Sequence, residues 1–286
     1  MVGNGNNCLS KSSVNGAHVM KADISRAFVT HWSMRLAIRV LLYVLSFLMI
    51  ASFFLLGTWR IGRDPSAERH ILDMVAKGAF TKSPLLDAEG RPTLLRYARS
   101  PAGRYLHILP SGLWSAIAPV QLNPYLRSKF PKAHRWLGRS FVAMSMSMGV
   151  GVLCLAFSGA TKENYDRLST GGPLVLLVIY FLATAALAVY HAMKKRLVAH
   201  RIWMLRHVTI GYSVHLQRLL VILTINYVPL FIPHYADLTE AGSHIRGVVF
   251  GAYLQLAIVL CVVTMEAWLH FSSCPISLPR ASKKKA

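Results

Sequence analysis

The chain has 286 residues, of which 54% are hydrophobic and only 15% charged, and its mean hydropathy is +0.42. A soluble domain carries roughly 25% charged residues, so this composition excludes an ordinary water-facing surface. The formal net charge of +21 does not make a nucleic-acid binder, because the cations cluster in short segments between apolar runs and no recognition motif accompanies them.

In chain order, residues 1–35 read as a flexible basic N-terminal segment. The apolar run Leu36–Gly57 follows, long enough for the ~20 residues that a bilayer crossing needs. It starts late and has full span length, so no cleavable signal peptide is expected; we take 36–57 as the first transmembrane helix. Residues 58–104, with nine basic and five acidic residues, read as an exoplasmic loop. Their apolar-periodic stretch Ala67–Val75 predicts a short interfacial helix. A five-helix membrane domain is expected over 105–270, with runs at Tyr105–Leu122, Leu137–Ser158, Gly172–His191, Trp203–Val228 and Gly247–His270. The first of these is weaker, containing Pro110 and Pro119, but proline is tolerated where neighbouring groups satisfy the freed carbonyls. Residues 271–286 form a basic tail. The expected fold is an all-α polytopic membrane protein with about six spans in one bundle.

Charge sets the orientation. The stretch from Asn123 to Arg139 carries Arg127, Lys129, Lys132, Arg135 and Arg139 with no acid, and Ala192 to Arg206 carries Lys194, Lys195, Arg196, Arg201 and Arg206 with no acid. The loops 159–171 and 229–246 have balanced or acidic charge. Short loops rich in Lys and Arg stay cytoplasmic, so both termini are expected in the cytoplasm. The ending Lys283-Lys284-Lys285-Ala286 also fits the dilysine pattern that retrieves eukaryotic membrane proteins to the endoplasmic reticulum.

Histidine is the informative residue type. His134 opens the third run in H-R-W-L-G-R (134–139), His200 precedes the fifth in H-R-I-W-M-L-R (200–206), and His207 and His215 follow within it. His107 lies near the start of the second run and His191 ends the fourth. Paired imidazoles from facing helices are a common haem-iron ligand set. His134 with His200 or His207 has the required depth and side, with His107 at a second place. Arg135, Arg139 and Arg206 would balance haem propionates. Against this stands the plainer reading of His, Arg and Trp at a span's edge as interfacial anchors, or of His207 and His215 as neutral groups bonded between helices.

Other chemistry is poorly represented. The nucleotide-binding, serine-hydrolase and H-E-x-x-H motifs are missing, and Glu266 is the only acid expected inside a span. Cys8, Cys154, Cys261 and Cys274 form no C-x-x-C and read as free thiols. Met144, Met146 and Met148 read as packing.

From His107 to Arg218 the chain resembles the membrane-protein family catalogued as domain of unknown function 2306. The residues that carry the resemblance are His107, Pro119, Gln121, Leu122, Arg127, Pro131, the segments 134–139 and 200–206, and Arg218-Leu219. It covers about residues 104–230 and implies a multi-helix membrane domain without implying an activity. His207 and His215 stand where the resemblance leads us to expect other residues. A looser similarity, to six-helix b-type cytochromes, rests on helix count and histidine at helix ends. The leading functional expectation is a membrane electron-transfer protein binding haem b. The alternative is a non-catalytic membrane scaffold, assembly factor or complex subunit with membrane-protein partners, and the third is a carrier or channel for a small solute. In each case the bilayer is the expected partner.

Overall fold

A computed structural model describes residues 36–37, 40–51, 66, 69, 72–73, 100–158, 171–237 and 239–273, and every regular element among them is helical. The chain divides into two units, 1–44 and 45–286. In the first, residues 36–37 and 40–44 are helical. The predicted interfacial helix over 67–75 falls mostly outside the described residues, although 69, 72 and 73 are helical. The basic tail beyond 273 also lies outside them.

The helices, in chain order, are α1 (Val40–Ala51), a π-helical segment (Ala102–Ile108) running into α2 (Leu109–Leu122), α3 (Pro124–Lys129), α4 (Pro131–Ser158), α5 (Gly172–Met193), α6 (Leu197–Thr224), α7 (Val228–Phe231) and α8 (Glu240–Ser273). Among the described residues three helices are long and apolar enough to cross a membrane: Pro131–Phe157, Gly172–Met193 and Glu240–His270.

The expected spans at Tyr105–Leu122 and Trp203–Val228 are also helical, but neither is apolar and continuous enough to stand as a span by itself. For α6 the reason is its interior, which carries Arg206, His207, His215, Gln217 and Arg218. Its 28 residues extend about 42 Å. It packs mainly between α5 and α8, both apolar candidate spans, which shield its polar side chains. Paired bonds fix its antiparallel register against α8: Arg206 to Glu266, Gln217 to the Phe250 carbonyl, and Thr224 to Tyr253.

The second run is interrupted by its proline. Pro110 has no N–H, and its ring clashes with the carbonyl four residues earlier in a regular α-helix. That carbonyl belongs to Leu106, and here the chain widens into the π-helical segment 102–108. The Ser147 hydroxyl of α4 donates to the Leu106 carbonyl at 3.1 Å, supplying the bond that proline cannot. α4 comes this close because residue 151 is glycine. A Cβ there would lie 2.9 Å from the Leu106 backbone carbon.

At the far end of α6 the segment 232–237 is held by a wholly buried arginine. Arg246 of α8 is 0% exposed and donates from Nη1 to the carbonyls of Tyr235 and Asp237. Tyr235 is buried with it, and desolvation pushes its phenol up to about 12. A loop cation anchoring its own connection was not expected from charge counting.

Candidate functional site

Two groups of histidines sit at different depths in the 45–286 unit. The inner group is centred on Trp114, which is 0% exposed and reaches from α2 into the space between α4, α5 and α6. It stacks on Phe141 with ring centroids 4.9 Å apart and contacts Tyr212 at 5.4 Å. Residue 211 must be glycine for this seat, since a Cβ would fall 2.6 Å from the indole. Trp114 Nε1 donates to Ser145 Oγ at 3.0 Å, and Ser145 Oγ lies 2.9 Å from His207 Nε2.

The tautomer of His207 follows from its other nitrogen. Nδ1 lies 3.0 Å from the Phe181 carbonyl oxygen, which only accepts, so the proton of the neutral ring sits on Nδ1. Nε2 then accepts from the Ser145 hydroxyl. Phe181 stacks on the same ring at 4.3 Å, and His207 is 0% exposed. His215, one layer away, has Nε2 2.9 Å from Ser115 Oγ, and Tyr212 bonds to Ser46. Both nitrogens of His207 are therefore engaged within the core.

The outer group lies at the basic end, where α2 turns through α3 into α4 and where α5 turns into α6. Asn123 caps α3, its side chain accepting from the N–H groups of Tyr125 and Leu126 at 2.9 and 3.3 Å. Gln121 Nε2 donates to the His134 carbonyl at 3.3 Å, tying α2 to the start of α4. His134 is half-buried and lies within electrostatic reach of Arg127 and His200. His200 Nδ1 is 2.9 Å from the Ala188 carbonyl. That bond places the proton on Nδ1 and leaves the lone pair on Nε2, which is how a neighbouring carbonyl prepares a metal-ligating histidine.

The sequence-derived candidates are therefore divided by depth. His134 and His200 come together at one end, with Arg135 and Arg139 exposed beside them and Arg139 lying 5.1 Å from the Trp136 ring centroid. His207 is in the aromatic core. Arg206 forms a two-bond pair with Glu266, at 2.7 and 2.8 Å, so its guanidinium is committed to a carboxylate. His107 stands on the π-helical segment toward the other end and, like His215, within reach of Arg218. His191 is half-buried beside Tyr190.

Sequence reasoning missed Ser145, Trp114 and buried Thr184, whose Oγ1 lies 3.4 Å from His207 Nδ1; these complete the inner group. Their signal was weak: serine and threonine inside an apolar run, at matching depths on successive runs. Cys261 is buried as expected, whereas Cys154 is exposed. Among the described residues no three His, Cys, Asp or Glu side chains converge as a metal site.

No curated protein and no solved structure matches the chain, so the similarity to b-type cytochromes gains nothing from a structural relative. The model of one family matches residues 104–270, further along the chain than the 104–230 carried by the sequence motifs. That region contains both histidine groups and the three candidate spans found among the described residues. The chain belongs to DUF2306, a family described as a predicted membrane protein.

Proposed function

We propose that this integral membrane protein crosses the bilayer six times with both termini in the cytoplasm, and that it holds a b-type haem at the His134–His200 end. The observation that carries the reading is the His200 Nδ1 bond to the Ala188 carbonyl, which leaves Nε2 as the unprotonated nitrogen of the neutral ring. The donor set fits the group: two half-buried imidazoles within mutual electrostatic reach and two exposed arginines, Arg135 and Arg139, for propionates. His207 does not fit it, because Ser145 and Phe181 already engage both ring nitrogens. Arg206 is withdrawn by Glu266. A haem bound there supplies single-electron exchange. The protein orients His200, and its arginines offset the propionate charge.

The test is the absorption spectrum of the protein purified from a haem-replete host. We expect a Soret band that His200→Ala and His134→Ala each abolish while the helical signal persists. A colourless native protein removes the proposal.

A second reading, a non-catalytic scaffold or complex subunit, is favoured by how small the cleft between α5, α6 and α8 is. The cleft lined by Tyr180, Arg206, Ile210, Cys261 and Glu266 has a cavity volume of about 10 Å³, far below the roughly 300–1,000 Å³ of small-molecule sites. This reading expects His200→Ala to alter recovery of a co-purifying membrane protein and to leave the spectrum unchanged.

With a cytoplasmic C-terminus, Lys283 and Lys284 supply an endoplasmic-reticulum retrieval signal in a eukaryotic cell. Replacing both by serine then releases the protein to later compartments, and an unchanged distribution rejects the signal.

A further inference from the structure

Between the end of α2 and the first turns of α4 the chain makes an elbow that packs on almost nothing. α3 has six residues, none of them buried. A helix that short has no stability of its own in water, so its order depends on the Asn123 cap and on whatever covers its outer face. That face carries large rings in the open: Tyr125 is 60% exposed, Phe130 49% and Trp136 66%. Cations sit among them. Lys129 Nζ lies 5.4 Å from the Tyr125 ring centroid, 5.7 Å from Phe130 and 3.0 Å from the Tyr125 hydroxyl. Arg127 and Lys132 are exposed on either side.

Charge complementarity names the occupant. No acidic residue occurs between Asn123 and Glu163, and none between Asp166 and Asp237. The α5–α6 turn therefore adds only positive charge to this end. Its central residue, Lys195, adopts φ 56°, the left-handed conformation that glycine normally supplies at a helix end, so a cation is held there against the backbone preference. A soluble acidic partner would be complementary to the charge, but not to three exposed rings that lead directly into the apolar helix Pro131–Phe157. Rings and cations interleaved at the mouth of a span match the boundary where phosphate headgroups meet acyl chains.

We propose that the elbow over residues 123–136 is a binding surface for anionic phospholipid headgroups, with Arg127, Lys129 and Lys132 meeting the phosphates and Tyr125, Phe130 and Trp136 seated at the acyl boundary. The elbow includes His134 and Arg135, but the lipid contact is assigned to other side chains, so it is read separately from any haem.

The test reconstitutes the full chain in phosphatidylcholine vesicles carrying a trace of spin-labelled phosphatidylserine or spin-labelled phosphatidylcholine, and reads the motionally restricted fraction of each. The native chain is expected to restrict the serine lipid preferentially, with added salt eroding the preference. The triple variant Arg127→Gln, Lys129→Gln and Lys132→Gln loses it, by up to about fivefold for each cation removed. The charge-preserving variant Arg127→Lys, Lys129→Arg and Lys132→Arg retains it. Equal restriction of both lipids by the native chain overturns the proposal, as does a preference that survives either salt or the glutamine variant, which would assign the elbow to a different partner. The salt arm uses only native protein, so the proposal stays testable if the glutamine variant fails to fold.

Discussion

The inner and outer histidine groups are built from the same residue types and end in opposite chemistry. Around Trp114 a chain of polar contacts crosses between helices: indole to Ser145, Ser145 to His207, His207 to the Phe181 carbonyl. At the basic end His200 spends one nitrogen on the Ala188 carbonyl, and half-buried His134 lies within electrostatic reach of it and of Arg127. The difference teaches that burial depth decides what an imidazole does here. Inside, an unmet polar group is costly, so histidine is absorbed into packing. At the edge, headgroups and water can satisfy it, and it stays open to a ligand.

Substitutions can break or sharpen that contrast. The largest effect is expected for Trp114→Ala, which empties the centre of the inner group and should destabilise the bundle by about 3–5 kcal/mol, read from denaturant unfolding in micelles. A change no larger than that of a surface substitution would mean the inner group is not the core. Ser145→Ala is next: it strands Trp114 Nε1 and His207 Nε2, for a loss of about 1–3 kcal/mol. Adding His207→Leu should recover part of that loss, because the pair is then removed together. Strict additivity of the two substitutions would argue against the bond between them.

At the outer end the effects shrink. Asn123→Ala removes the cap of α3 and should cost about 1 kcal/mol, with faster amide exchange confined to the elbow as the readout. Exchange that accelerates equally around Trp114 would show that the two regions are not separable. Lys195→Gly relieves the left-handed backbone at the α5–α6 turn and should stabilise the protein by about 1 kcal/mol or less. A drop in stability would mean that the lysine side chain, and not its backbone, governs the turn.

Much of the architecture was legible residue by residue. The runs that became α4, α5 and α8 announce themselves because hydropathy is a local sum, and a long uncharged stretch needs no partner to be recognised. The proline-bearing second run was also readable as a helix, although its π-helical opening was not. That opening depends on Ser147 reaching the Leu106 carbonyl and on Gly151 allowing the approach, two contacts over forty residues away. That His134 and His200 lie at the same end followed from depth and chain alternation. The expectation that His207 was interchangeable with His200 did not account for Ser145 and Phe181, since seven-residue spacing gives a helical face but not what that face meets.

By itself, then, the sequence determined a helical membrane chain with cations gathered in short segments between apolar runs, because hydrophobicity and charge act through composition over a window. Only the tertiary structure decided which histidines are consumed and which remain open, that Arg206 belongs to Glu266, and that Arg246 is a buried loop anchor. Those outcomes rest on hydrogen bonds, which are short-ranged and directional, and whose partners arrive from helices remote in the chain.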